Sequence, residues 1–206
     1  MPVPMTLVIG TKQFSSWSLR PWLAAKMAGI AFDEVLITLR QPETKAEILK
    51  YSPSGKVPCL IHDQLTIWDS LAICEYLAEL HPTLWPESRD ARAVARAVSA
   101  EMHSGFPNLR NACSMDVCAV TPLDPVPPEV AAEVDRINAL WTQCRTRFGA
   151  SGPFLFGRFS IADAMFAPVA TRFTTFALTA DPVALAYCDA IWSLPAMQEW
   201  KQAACG

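Results

Sequence analysis

Closely spaced thiol pairs are missing from this sequence. Its seven cysteines, at Cys59, Cys74, Cys113, Cys118, Cys144, Cys188 and Cys205, form no C-x-x-C pair and no Cys/His cluster with zinc spacing. These absences argue against dithiol redox chemistry and against a metal site. An odd number of cysteines without a secretory leader points to free thiols in a reducing, cytoplasmic compartment. No leader is expected, because residues 1–5 carry neither a basic stretch nor a long apolar one. Charge is scarce too: charged residues are 18% of the chain and the formal net charge is −3. No Lys/Arg cluster would follow a phosphate backbone, so nucleic acid is not an expected partner. Long apolar runs are lacking as well. The most apolar stretch, residues 161–178, is interrupted by Asp163 and Arg172, which reads as a buried helix and not a membrane span. No internal repeat or low-complexity tract is found.

What is present is a globular composition: 51% of the 206 residues are hydrophobic, enough for one large core or two small ones. The first third alternates between two periodicities. Residues 6–10 are a short apolar run ending in Gly10, as a buried strand would be. Residues 17–28 carry Leu19, Trp22, Leu23, Lys26 and Met27 at helical spacing, and Gly29 sits at a C-cap position. Residues 32–39 return to strand composition, and 42–51 read as a weak helix or a loop. After the turn-rich 52–58 stretch, residues 59–62 and 65–68 flank Asp63-Gln64 as a β-hairpin. Asp69-Ser70 then precedes an amphipathic helix over 71–80. The order β-α-β-(α)-β-β-α predicts an α/β thioredoxin-like domain over residues 5–82, with a proline-broken linker at 81–86. From 88 to 206 the chain predicts an all-α domain. It has a long helix over 89–106 broken or kinked at Pro107, then helices over 129–148, from 161, over 182–193 and over 194–205.

Three short features carry chemistry. Val57-Pro58 follows a glycine-containing turn at a strand start, so it is a candidate cis peptide. A cis bond there would turn the Val57 amide and carbonyl outward for an extended peptide to pair with; an ordinary trans proline is the alternative. Asp69-Ser70 stands at a helix N-terminus. Ser70 suits a carboxylate and Asp69 an ammonium group, a pair of charges that a γ-glutamyl residue offers on one carbon. A plain N-cap explains the same two residues. Ser15-Ser16 follows the first strand, where a hydroxyl and main-chain donors could hold a ligand thiolate, or could simply cap a helix. The joint occurrence of these features favours a binding site for a small thiol peptide.

The ordered set Phe14-Ser15-Ser16-Trp17-Ser18-Leu19-Arg20, Gly55-Lys56-Val57-Pro58, Asp69 to Leu77, and Ser160-Ile161-Ala162-Asp163 resembles a glutathione S-transferase over essentially the whole chain. The double serine followed by arginine is similar to the zeta class, which includes maleylacetoacetate isomerases. The resemblance implies glutathione as co-substrate, no metal, and a homodimer. It implies that Ser15, with Ser16 as fallback, activates the thiol. Lys56, Val57 and Pro58 would bind glutathione, with Val57 pairing with the cysteinyl backbone and Lys56 standing where the zeta pattern usually has glutamine; Asp69 and Ser70 would hold the γ-glutamyl group. Asp163 matches a buried capping aspartate, and Ser160 to Asp163 reads as a capping box. Trp17 stands where the zeta pattern has cysteine, Leu19 where it has tryptophan, and Pro21 falls early inside a helix.

The electrophile would sit between the two domains. His103, Ser104 and Arg172 are the second-substrate candidates, with Arg110 and Asn111 weaker. Arg172 stands out because an arginine in an apolar helix needs a carboxylate or another partner. Phe14, Trp17, Phe106 and Phe176 could wall an apolar pocket. The expected activity is thiol addition to a small electrophile. Cis-trans isomerisation of a carboxylated enone is the special case, and a glutathione-binding or interaction module without turnover is the competing reading.

Overall fold

The computed structural model describes residues 4–206; residues 1–3, part of the segment read above for a leader, lie outside the described residues. The apolar run at the start of the chain forms β1 (Met5–Gly10), inside a four-stranded sheet of order β2-β1-β3-β4. β1 runs parallel to β2 (Asp33–Ile37), with Val8 opposite Val35, and antiparallel to β3 (Cys59–His62), with Leu7 opposite Leu60. β3 turns through Asp63-Gln64 into β4 (Leu65–Trp68), the predicted hairpin. Three helices belong to this half: α1 (Ser16–Met27), the short α2 (Thr44–Leu49) and α3 (Ser70–Leu80). Gly29 ends α1 at φ 69, a conformation open to glycine at little cost.

After a 3-10 turn at Pro82–Leu84, only helices of any length follow: α4 (Arg89–Ser104), α5 (Pro107–Ala112), α6 (Pro128–Phe148), α7 (Ile161–Phe176), α8 (Pro182–Trp192) and α9 (Pro195–Cys205). The predicted fold class, a mixed sheet with helices followed by a helical half, is the one observed. No helix among the described residues is long and apolar enough to cross a membrane. Every residue of α1 from Ser18 to Ala25 is buried, because α3, α7 and α9 close around it. One apolar core therefore runs from Leu7 and Trp22 through Met102 and Trp141 to Trp200.

Two expectations are corrected. Pro107 does not merely end a helix; it occupies the first turn of α5, where its missing N–H costs nothing. The chain reverses at Gly105 and at Phe106, whose φ is 58. The Glu133 carboxylate, reaching over from α6, then takes the Asn108 and Leu109 N–H groups at 3.2 and 2.8 Å. A six-residue helix capped from another helix leaves no periodic signal in sequence.

The cysteines are not all free. Cys118 and Cys205 are joined across a sequence separation of 87, tying the loop after α5 to the last turn of α9. The other five, Cys59, Cys74, Cys113, Cys144 and Cys188, are free and buried. The pair is invisible to spacing rules because only the tertiary fold brings it together. Closing so long a loop restrains the unfolded chain, so reduction is expected to lower stability by about 3–5 kcal/mol. Thermal melting with and without dithiothreitol checks this: Cys205→Ser should melt near the reduced wild type and ignore the reductant.

Candidate functional site

The most convergent polar geometry lies at the start of α3. Asp69 sits at φ 77, ψ 130 and is the N-cap of α3. A non-glycine residue held there costs about 1–3 kcal/mol. The cap stabilises it: Asp69 Oδ1 accepts from the Leu71 and Ala72 N–H groups at 2.9 and 3.2 Å. Its other oxygen, Oδ2, lies 3.0 Å from His103 Nε2 on α4. Ser70 is 1% exposed, and its hydroxyl has no hydrogen-bond partner among the described residues. Asp69 thus caps the helix while still lining the cleft, and the Ser70 hydroxyl is left unused.

Opposite them, the Val57-Pro58 peptide is cis, as the turn chemistry suggested. Neither main-chain group of Val57 is hydrogen-bonded among the described residues. A cleft of about 570 Å³ lies between the two pairs, lined by Trp17, Ser54, Lys56, Val57, Pro58, Trp68, Asp69, Ser70 and His103. That volume falls in the range of small-molecule sites. A wider groove of about 750 Å³ beside the 3-10 turn includes Arg92. It is less suited to a ligand, because the Arg92 guanidinium is already taken by the Pro86 and Glu87 carbonyls.

The structure gathers Lys56, Val57, Pro58, Asp69, Ser70 and His103 into the cleft. Ser15 and Ser16, 5% and 7% exposed, stand two residues and one residue before Trp17 and do not themselves line it. The Ser15 hydroxyl donates to Ser18 Oγ at 2.7 Å, and Ser18 Oγ also accepts the Gly10 N–H at 3.1 Å. Ser104 turns away: it is exposed and donates to the Ala100 carbonyl of its own helix. Arg172 finds no carboxylate. Its Nε donates to the Cys113 carbonyl at 2.8 Å and its Nη1 to the Pro168 carbonyl at 3.1 Å, which meets the need for a partner within the protein. Arg110 donates to the Gly105 carbonyl, and Asn111 is exposed. Of the four aromatics, Trp17 walls the cleft; Phe14 lies under Arg40, Phe106 is buried, and Phe176 packs half-buried against the core.

Arg20, the last residue of the Phe14 to Arg20 motif, is the most unusual charge in the molecule. It is 0% exposed, and none of its three guanidinium nitrogens has a partner among the described residues. Its Cζ lies 4.0 Å from the centre of the Trp17 ring. Burial, with the charges of Arg172 and Arg110, lowers its pKa to about 9, so it stays charged at neutral pH. The clue that singled out Arg172, an arginine in an apolar helix, also marked Arg20. No group of His, Cys, Asp and Glu side chains among the described residues could hold a metal ion.

Comparison with known proteins agrees with this geometry. Residues 14–80 match the family model "Glutathione S-transferase, N-terminal domain", and residues 127–200 match "Glutathione S-transferase, C-terminal domain". A probable maleylacetoacetate isomerase of Caenorhabditis elegans is 38% identical over 98 residues, 47% of this chain and 45% of that protein. Maleylacetoacetate isomerase of Rattus norvegicus is 38% identical over 101 residues, 47% of this chain and 46% of that protein. The chain thus spans less than half the length of these curated relatives. A glutathione transferase homolog from Burkholderia gl BGR1, solved with bound glutathione, superposes with a TM-score of 0.72 at 25% identity over 97% of both chains. With both halves matched in the same order, the chain belongs to the glutathione S-transferase family.

Proposed function

We propose that this protein binds glutathione in the cleft between Val57-Pro58 and Asp69-Ser70, ionises its thiol and adds the thiolate to a small electrophile. The observation that carries this reading is the meeting of unused groups of two kinds across one cleft. The Val57 N–H and C=O are free to pair with an extended peptide backbone. The Ser70 hydroxyl and the N-terminal end of α3 suit a carboxylate, with the Asp69 carboxylate beside them for an ammonium group. Lys56 stands at the rim, where it can meet a second carboxylate of the tripeptide. The Ser15 hydroxyl, with Ser16 next to it, is the donor assigned to the sulfur. The electrophile enters on the side of His103, which stacks edge-on against Trp17 with ring centres 5.4 Å apart.

Isomerisation by reversible thiol addition is the second reading, favoured by the names of the two curated relatives. In this reading the thiolate adds to a cis-enone, the carbon–carbon bond rotates, and elimination returns the thiolate and the trans product. Arg110, whose Cζ is 5.8 Å from the centre of the Trp17 ring, would meet a carboxylate on such a substrate by giving up its bond to the Gly105 carbonyl. A homodimer, as the family resemblance implies, is part of the proposal and is tested by sedimentation.

Calorimetric titration with glutathione, followed by turnover on conjugation substrates and on carboxylated cis-enones, tests both readings. Asp69→Asn sharpens the test. Asparagine caps a helix about as well as aspartate, so melting should hardly change. Loss of the charge facing the ammonium group should weaken glutathione binding about tenfold or more. Unchanged affinity in a well-folded Asp69→Asn protein would remove Asp69 from the site.

A further inference from the structure

We propose that Arg20, lying beneath Trp17, is the fixed positive charge that holds a thiol bound in the cleft in its thiolate form. The inference rests on reading the cleft as the glutathione site and adds a positioning residue to it. A buried guanidinium with no acceptor is among the least favourable groups a protein can carry, since it has lost water and gained nothing in return. Arg20 is close to that state: it is fully buried, Nε, Nη1 and Nη2 have no hydrogen-bond partners among the described residues, and the guanidinium rests only on the Trp17 ring.

The groups that face Arg20 do not neutralise it. Arg172 on α7 and Arg110 on α5 repel it, and Cys74 on α3 is kept as a neutral thiol by burial. Asp69 attracts it, but the Asp69 oxygens bond the α3 main chain and His103. His103, on α4, lies on Trp17 and not on Arg20. What remains is an electropositive floor under one aromatic ring, and that ring lines the cleft.

A charge so placed acts without contact. Its Cζ is 4.0 Å from the ring centre, and an atom resting on the opposite face of that ring would be roughly 7–8 Å from it, allowing ordinary van der Waals spacing. At that distance, with an effective dielectric constant of about 20, one positive charge raises the ratio of thiolate to thiol roughly thirty- to fiftyfold. The hydroxyl of Ser15 supplies direction to the sulfur, and Arg20 supplies potential. Because the charge is already desolvated and fixed, nothing has to reorganise when the thiol ionises.

The test uses the full chain, with Arg20→Met to remove the charge at similar size and Arg20→Lys to restore it. Two quantities are read: the pH at which bound glutathione ionises, from its thiolate ultraviolet absorbance, and the affinity for S-methylglutathione, which has no thiol proton. The expected result is that Arg20→Met binds S-methylglutathione within about twofold of wild type while its thiolate fraction at pH 7 falls about tenfold or more. Arg20→Lys should recover much of that fraction. Melting of Arg20→Met should be unchanged or higher, since an unpaired buried charge has gone. Arg20→Gln serves as the neutral variant if the methionine protein does not fold. An unchanged thiol pKa in a neutral variant that still binds S-methylglutathione overturns the proposal. So does a loss of S-methylglutathione affinity in step with the thiolate fraction, which would make Arg20 a structural support. Failure of the wild type to bind S-methylglutathione would instead overturn the glutathione reading itself, and this proposal with it.

Discussion

Ser15→Ala is expected to lower turnover about ten- to a hundredfold while leaving S-methylglutathione affinity within about twofold, because one charge-assisted hydrogen bond to sulfur is lost. The Ser15 hydroxyl donates to Ser18 Oγ at 2.7 Å. When the Ser15 proton turns to a thiolate, Ser18 can reverse that bond and donate its own proton to Ser15 Oγ. Ser18 is placed to do so, since it is fully buried and held from the other side by the Gly10 N–H. The two serines then form a short relay in which each hydroxyl polarises the next. Ser18→Ala should therefore reduce turnover in the same direction by a smaller factor, about three- to tenfold. Ser16→Ala should do little, and turnover with pH profiles on the three variants separates the roles. Full activity in Ser15→Ala, with the loss moved to Ser16→Ala, would transfer the assignment to the fallback.

The parts of this fold that were legible in the sequence are those written in local chemistry. The hairpin at 59–62 and 65–68 was readable because apolar alternation breaks only at Asp63-Gln64. The helix from Ile161 was readable because Ser160 and Asp163 stand at capping-box spacing, and the two reciprocal bonds are present. The cleft was half legible. Val57-Pro58 and Asp69-Ser70 each announce a turn or a cap, and only the fold shows that both face one space with Trp17 and His103. Less legible were features supplied by distant residues. Glu133 caps α5 across more than twenty positions, Cys118 meets Cys205 across 87, and Arg172 satisfies itself on the Cys113 carbonyl. Arg20 was missed for a different reason. Its neighbours Leu19 and Pro21 mark it as core, but whether a buried arginine has a partner is a tertiary fact that spacing along one helix does not carry.

Asp163→Ala should cause a loss of stability as large as any that these interactions predict. Asp163 is fully buried and accepts four hydrogen bonds. Its Oδ1 takes the Leu155 N–H at 3.0 Å and the Tyr187 hydroxyl at 3.1 Å, and its Oδ2 takes the Ser160 N–H at 2.8 Å and the Ser160 hydroxyl at 3.0 Å. One carboxylate thus joins the segment before α7, the first turn of α7, and α8. Removing it strands at least two main-chain donors in the core, at a cost of about 3–5 kcal/mol. For a chain of this size that corresponds to a fall in melting temperature of roughly 6–20 °C. The effect also depends on pH in a definite direction. Burial outweighs the four donors and raises the Asp163 pKa from 3.8 to about 6. Between those values the folded protein holds a proton that the unfolded chain has released, so this group's contribution falls as pH rises through that window. The whole excursion is worth about 3 kcal/mol. The gap in melting temperature between wild type and Asp163→Ala should accordingly widen as pH is lowered from 7 to 4. A gap that narrows in acid would mean that the four donors outweigh burial and hold Asp163 ionised.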